Sequence, residues 1–170
     1  MNTGKGFTLI ELLIVMVLIG VIMGMAMLSM GTADPRDQQK TEAERLVKLL
    51  DLASQEAIVR GEVIGLELFG QGYRFAVVKN NKWSEESTDM VFRPRTLMPQ
   101  MLLALALGEQ AVTLNRELIE AVKPEPQIIL TPDGDMDLFQ IRMAMKGGDS
   151  IFVVSNTQED GLAISTENTP

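Results

Sequence analysis

The sequence predicts an α+β fold. A long N-terminal helix, whose first half spans a membrane, packs on an antiparallel β domain of two sheets. Three patterns predict this fold. Residues 12–28 are 17 consecutive residues without a polar side chain. Residues 38–60 repeat apolar side chains at helical spacing. After Gly61 the apolar residues alternate with a period of two between turn signals, which is typical of strands.

Composition restricts the functions open to this chain. Its 170 residues are enough for one membrane segment and one modest domain. Histidine and cysteine are both missing from the sequence, which removes the commonest general base, the commonest metal ligand and all thiol chemistry. The net charge is −8, without a basic cluster to offset it. We therefore expect no metal, no cofactor and no nucleic-acid partner.

The apolar run predicts a transmembrane helix over residues 7–30. Its 17 residues fall within the range of about 17–25 that crosses a bilayer. Lys5 precedes the run, whereas Asp34, Arg36 and Asp37 follow it. The positive-inside rule then places the N-terminus in the cytoplasm and the body outside, in the periplasm of a bacterium. The alternative is a buried core helix, for which the chain offers little protein as cover.

Three residues of this helix call for an explanation. Glu11 lies at the start of the apolar run, and an acid at the middle of a membrane costs about 2.5–3.5 kcal/mol, less near the interface. It therefore needs either a cationic partner or a position from which it reaches the cytoplasmic headgroups. Gly20 and Gly24 are four residues apart on one face, a pattern that lets a second helix approach closely or that occurs incidentally in membrane helices.

The soluble helix is predicted over about 38–60 and ends at Gly61. Pro35 either kinks a continuous helix or occupies the first turn of a new one capped by Asp34. One face of the predicted helix is apolar and packs on a sheet, and its members are Ala43, Leu46, Val47, Leu50, Ala53, Ala57 and Ile58.

Strands follow to the end of the chain. A hairpin is predicted from residues 63–69 and 73–78 around a glycine loop, with a third strand at 90–93. The stretch 96–126 is the least regular. It is expected to hold a buried strand at 101–107, another at 111–115, a helical turn or loop at 116–122, and an extended linker. The last third is predicted as a meander of strands 127–131, 138–146, 151–156 and 162–166.

Two groups of acidic residues are candidates for a calcium site or for catalytic acids. In residues 133–137 every second residue is an aspartate, as at the start of a calcium-binding loop. However, Leu138 stands where such a loop has glycine, and Ala144 stands where it has glutamate. A solvated hairpin turn is therefore the better interpretation. The acids within residues 85–89 lie in a polar loop with no sign of the burial that would raise a carboxyl pKa.

The N-terminal segment resembles the type IV prepilin family. Residues 6–13, Gly-Phe-Thr-Leu-Ile-Glu-Leu-Leu, carry the resemblance together with Lys5 and the apolar run. The resemblance implies that a prepilin peptidase removes residues 1–6 by cutting between Gly6 and Phe7, and that the new amino terminus of Phe7 is methylated. It also implies that Glu11 meets the amino terminus of a neighbouring subunit, so that Phe7 and Glu11 set the register between packed helices.

The body resembles the H-type branch of the minor pseudopilins of the general (type II) secretion pathway. The helix end Glu-Ala-Ile-Val-Arg-Gly at residues 56–61 and the strand and turn at 128–134 carry this second resemblance. It implies a pilin-like periplasmic domain over residues 31–170 that has a structural role. The subunit would join a tip of other minor pseudopilins to a shaft of the major pseudopilin.

Two alternatives remain open from the sequence. The first is a minor type IV pilin that primes pilus assembly. The second is a membrane-tethered periplasmic enzyme, against which the lack of histidine, cysteine and a recognisable nucleophile site argues.

Overall fold

The computed structural model describes residues 8–29, 34–85, 90–117 and 123–168. It divides the chain into two compact units, Met1–Asp34 and Pro35–Pro170. In the first unit, helix α1 spans Leu9–Ser29. Within the described residues it is the one helix long and apolar enough to cross a membrane. Its window Leu9–Ala26 has a mean hydropathy of 2.7, and none of it is buried.

Helix α2 of the second unit spans Pro35–Arg60 and begins three residues before the predicted start. Pro35 therefore stands in the first turn, the second of the two roles considered for it, where its missing amide hydrogen is not needed. Gly61 follows with a φ of 64°, a left-handed conformation that glycine adopts without strain. The buried face contains Gln39, Ala43, Leu46, Leu49, Leu50, Ala53 and Ala57.

Two members of the predicted apolar face are placed differently. Ile58 lies near the end of the helix beside the turn at Gly134 and is 52% exposed. Val47 is only partly buried at the margin of the core. Leu49, on the flank of the predicted face, is buried instead. The apolar face is thus rotated slightly from the predicted one.

The strands form two antiparallel sheets. In chain order they are β1 (Ile64–Phe69), β2 (Gly72–Lys79), β3 (Lys82–Glu85), β4 (Arg95–Thr96), β5 (Met101–Leu107), β6 (Gln110–Val112), β7 (Ile128–Leu130), β8 (Phe139–Met145), β9 (Ser150–Thr157) and β10 (Gly161–Asn168). The first sheet has the order β3-β2-β1-β7, with β4 also paired to β2. The second has the order β10-β9-β8-β5-β6. The predicted α+β class and the two antiparallel sheets are confirmed.

Two predictions about strands are wrong. Residues 90–93 were expected to be the third strand, but Met90–Phe92 is a short 3-10 helix and the third strand is Lys82–Glu85. Asn80 and Asn81 both have positive φ and form a tight turn that returns the chain directly beside β2. The ring of Phe92 is anchored in the core against Phe75, with centroids 5.0 Å apart.

The second wrong prediction concerns the meander. Strands β8, β9 and β10 follow one another as expected, but β7 leaves them and pairs with β1 in the first sheet. The chain therefore crosses between sheets at the turn after β7. The predicted strand at 111–115 is shorter and ends at Val112. The predictions for residues 86–89 and 118–122 lie outside the described residues.

The core of the second unit is one cluster of buried side chains from α2 and both sheets. Strand β1 is buried on both faces. Its alternate residues Gly65 and Glu67 point away from α2, and the described parts of the segment between β6 and β7 cover them. A Cβ at Gly65 would lie 2.5 Å from Pro126. The amide of Leu68 donates to the Gln127 side chain at 2.7 Å.

Candidate assembly site

The N-terminus of α1 is closed by a reciprocal pair of hydrogen bonds. The amide of Thr8 donates to Oε2 of Glu11, and the amide of Glu11 donates to Oγ1 of Thr8, both at 3.4 Å. This is a capping box, in which two helix-terminal amides find side-chain acceptors. Sequence reasoning interpreted Glu11 as a partner of another subunit or of the headgroups and missed this role. The signal was the Thr-x-x-Glu spacing itself.

The capping box leaves the Glu11 carboxylate able to take a further partner. An ionised carboxylate offers about four acceptor positions on two oxygens, and the Thr8 amide uses one of them. Glu11 is exposed in its unit. It also stands in the first turn of α1, where the helix dipole favours a negative charge. Gly6 and Phe7, the two residues of the predicted cleavage site, lie outside the described residues.

Gly20 and Gly24 leave an open place on the surface of α1. No atom lies within 4 Å of the position that a Cβ would occupy at either glycine. Both glycines lie on one helix face, so the backbone is accessible there over about one turn. The arrangement permits close approach by another helix, and none of the described residues fills it.

The rest of α1 is apolar and exposed on every side. Each side chain from Thr8 to Ala26 is exposed, and among the large apolar ones the exposed fraction runs from 42% at Val15 to 83% at Leu9. A helix that is hydrophobic all round is stable only where lipid or other helices cover it. The apolar surface of α1 therefore needs a cover of lipid or of other helices.

The acids of residues 133–137 serve the turn that follows β7. The Asp133 carboxylate accepts a hydrogen bond from the Thr131 hydroxyl, and this bond, followed by one from its own backbone amide, lowers the pKa of Asp133 below its ordinary value. Asp137 accepts the amide of Ile129 at 2.8 Å. The described part of the chain contains no group of three potential metal-ligating acids.

A buried ionic cluster lies on the covered face of the first sheet, and sequence reasoning missed it. Arg74 is 1% exposed and its Nε lies 2.7 Å from Oε2 of Glu67, which is 3% exposed. Glu85 of β3 contributes a second carboxylate at 3.6 Å. The signal was available: the hairpin loop at residues 70–71 sets Glu67 directly opposite Arg74. The cluster joins three strands beneath the covering segment.

Two family models match this chain. The prokaryotic N-terminal methylation motif matches residues 1–27. The type II transport protein GspH family matches residues 42–160, which comprise most of the body. The two matches fall on the N-terminal segment and on the body, the two parts of the chain that carry the sequence resemblances.

Curated relatives and solved structures agree with the family models. Type II secretion system protein H of Pseudomonas aeruginosa is 28% identical over 162 residues, which cover 86% of this chain and 87% of the relative. The protein of the same name from Aeromonas hydrophila is 29% identical over 152 residues, covering 85% and 83%. The crystal structure of the minor pseudopilin EpsH from the type II secretion system of Vibrio cholerae aligns with a TM-score of 0.66 at 20% identity, covering 81% of this chain and 100% of that one. This last likeness shows that the fold is shared.

Proposed function

The chain belongs to the type II transport protein GspH family, and we propose that it is a minor pseudopilin of the type II secretion system that acts as a structural subunit and not as an enzyme. The observation that carries this proposal is the match of the GspH family model to body residues 42–160. The exposed apolar helix α1 supports it, because a subunit of a helical filament needs such a surface for its neighbours.

Proteolytic processing is the first step that we propose for the chain. A prepilin peptidase cuts between Gly6 and Phe7, removes residues 1–6 and leaves an amino terminus on Phe7 that is methylated. The match of the N-terminal methylation motif to residues 1–27 supports this step. Glycine at position 6 presents no side chain to a protease that approaches the backbone.

The processed chain is anchored once in the bacterial inner membrane. Residues 7–30 span the bilayer with the N-terminus in the cytoplasm, and residues 31–170 form the periplasmic body. The mean hydropathy of 2.7 over Leu9–Ala26 supports the anchor. Lys5 on one side and the acids after the helix on the other support the orientation.

Assembly then uses the open features of α1. The Phe7 ammonium of one subunit and the Glu11 carboxylate of the next attract each other more strongly as the dielectric constant falls, and each is unfavourable alone in lipid. This pair sets the register between adjacent helices. Gly20 and Gly24 let those helices approach closely.

In the finished pseudopilus we place this subunit between the tip, made of other minor pseudopilins, and the shaft, made of the major pseudopilin. Secretion of folded proteins across the outer membrane depends on that filament. The rival role, a minor type IV pilin that primes pilus assembly, would use the same N-terminal features. The family match over the body favours the secretion role.

The proposal is tested by complementing a deletion of the chain's own gene in its host. Wild type should restore secretion of folded cargo to the medium. Gly6→Val should fail, because a bulky side chain at the cleavage position blocks processing. The measurements are the amount of cargo in medium and periplasm and the intact mass of the purified chain.

Gly4→Val is the matched control, since it changes another leader glycine and leaves the cut between residues 6 and 7 intact. Its product should begin at a methylated Phe7, and secretion should be normal. Normal secretion in the deletion strain together with loss of pili would instead assign the chain to type IV pili. Mature product from Gly6→Val would refute the cleavage assignment.

A further inference from the structure

A pocket of about 380 Å³ lies between α2 and the segment that precedes β5. Its lining residues are Glu42, Arg45, Arg93, Pro94, Arg95 and Thr96. Three of them are arginines, in a chain where 23 acids outnumber 15 Lys and Arg. We call this pocket the arginine pocket. Its local excess of positive charge favours an anionic ligand.

The one acid in the arginine pocket is already engaged. Oε1 of Glu42 accepts a hydrogen bond from the Tyr73 hydroxyl at 2.8 Å, and its other oxygen pairs with Arg45. Tyr73 is fully buried, and this burial, followed by the charge of Glu42, raises the pKa of its hydroxyl well above the ordinary value. Tyr73 therefore stays a neutral donor to Glu42, and Glu42 already accepts from both Tyr73 and Arg45.

Arg93 and Arg95 are left without a carboxylate partner among the residues that the structure describes. The Nε of Arg95 is buried from water and has no hydrogen-bond acceptor. A buried donor without an acceptor costs about 1–3 kcal/mol. A guanidinium is a planar fork of donors that matches a carboxylate in two parallel hydrogen bonds. The donors that the arginine pocket presents to a carboxylate are those of Arg93, which is exposed and lines the pocket.

We propose that the arginine pocket binds an Asp or Glu side chain of another pseudopilin subunit and is one of the surfaces through which this chain joins its neighbours. The inference rests on the proposed function, since it takes the partner from it. Pro94 and Thr96 offer walls for the aliphatic stem of such a side chain. A polyanion such as a nucleic acid fits less well, because the net charge of −8 repels it.

The test uses the full-length chain in detergent and measures its affinity for each purified minor pseudopilin and for the major pseudopilin of the same host. Arg93→Glu should weaken binding to one of them about tenfold or more, as expected for reversing one member of a close charge pair. Arg93 is exposed, so the change should leave the fold intact. Fluorescence of Trp83, the one tryptophan, checks this.

Lys146→Glu is the matched control. It makes the same change of charge at an exposed position of the body that does not line the pocket, and it should leave affinity unchanged within twofold. A photocrosslinking residue at position 96 should attach to a partner peptide that contains an Asp or Glu. Replacing that acid by Lys in the partner should restore binding to Arg93→Glu.

The outcomes separate the two proposals. If wild type binds a pseudopilin and Arg93→Glu binds it equally well, the arginine pocket is not the contact and the proposed function stands. The inference also fails if Lys146→Glu weakens binding as much as Arg93→Glu, because the effect is then one of net charge. If wild type binds no pseudopilin at all, both the proposed function and the pocket inference are overturned.

Discussion

Helices α1 and α2 have similar lengths, 21 and 26 residues, and opposite relations to their surroundings. The apolar side chains of α1 cover its whole circumference and none in the window Leu9–Ala26 is buried. Those of α2 form one face, and this face is buried against two sheets of its own unit. The apolar surface of the first helix therefore needs lipid or other helices to cover it, whereas the apolar face of the second is covered within its own unit.

The acids of the two units differ in the same way. Glu11 in α1 is exposed, and among the described residues its carboxylate accepts the amide of Thr8. Glu67 in β1 is buried against Arg74 and satisfied inside the body. Glu11 of α1 thus keeps acceptor positions that can take a further partner, whereas the buried charges of the body stabilise its fold. In the arginine pocket, the exposed Arg93 has no carboxylate partner among the described residues.

The largest expected effect separates the two helices directly. Leu50→Ala should lower the free energy of unfolding of the body by about 4 kcal/mol, because Leu50 is fully buried and its removal leaves a cavity. Denaturant unfolding of the full chain in detergent, followed by Trp83 fluorescence, measures this quantity. Leu18→Ala in α1 is the control and should not change it. An equal loss from both variants would show that the helices do not differ as described.

A somewhat smaller effect compares the two acids. Glu67→Gln should destabilise the body by about 3 kcal/mol, since it removes the negative charge that lies 2.7 Å from the buried guanidinium of Arg74. Glu11→Gln should leave body unfolding unchanged, and its effect should appear in assembly instead. The same unfolding experiment measures both. A loss below about 1 kcal/mol for Glu67→Gln would mean that the pair contributes no more than a surface ion pair.

The smallest expected effect concerns the capping box. Thr8→Ala should raise hydrogen exchange of the amides in the first turn of α1 about fivefold, as a loss of about 1 kcal/mol in capping predicts. Thr8→Ser keeps the acceptor oxygen and should exchange as wild type does. Mass spectrometry of the full chain in detergent resolves these amides. Unchanged exchange in Thr8→Ala would exclude a contribution of the Thr8 hydroxyl to helix stability.

Much of the fold was predictable because its signals are local. The apolar run predicted α1, and the helical repeat predicted α2. Period-two runs and turn signals predicted β1, β2, β8, β9 and β10, while a short apolar run between Pro99 and Gly108 predicted β5. The N-terminal motif was recognisable for the same reason, since it lies in one continuous stretch, while the roles of Gly6, Phe7 and Glu11 stay predictions. Even the capping box of Thr8 and Glu11 was present as a spacing of three residues.

What the sequence by itself determined, then, is the kind of element at most positions and the N-terminal methylation motif over residues 1–27. The tertiary structure alone decided that β7 joins the first sheet, that Phe92 ends in a 3-10 turn, and that Arg45 and Arg95 line one pocket. Each of these depends on which distant segment packs beside a residue. That choice is made by burial over the whole body, and no local repeat records it.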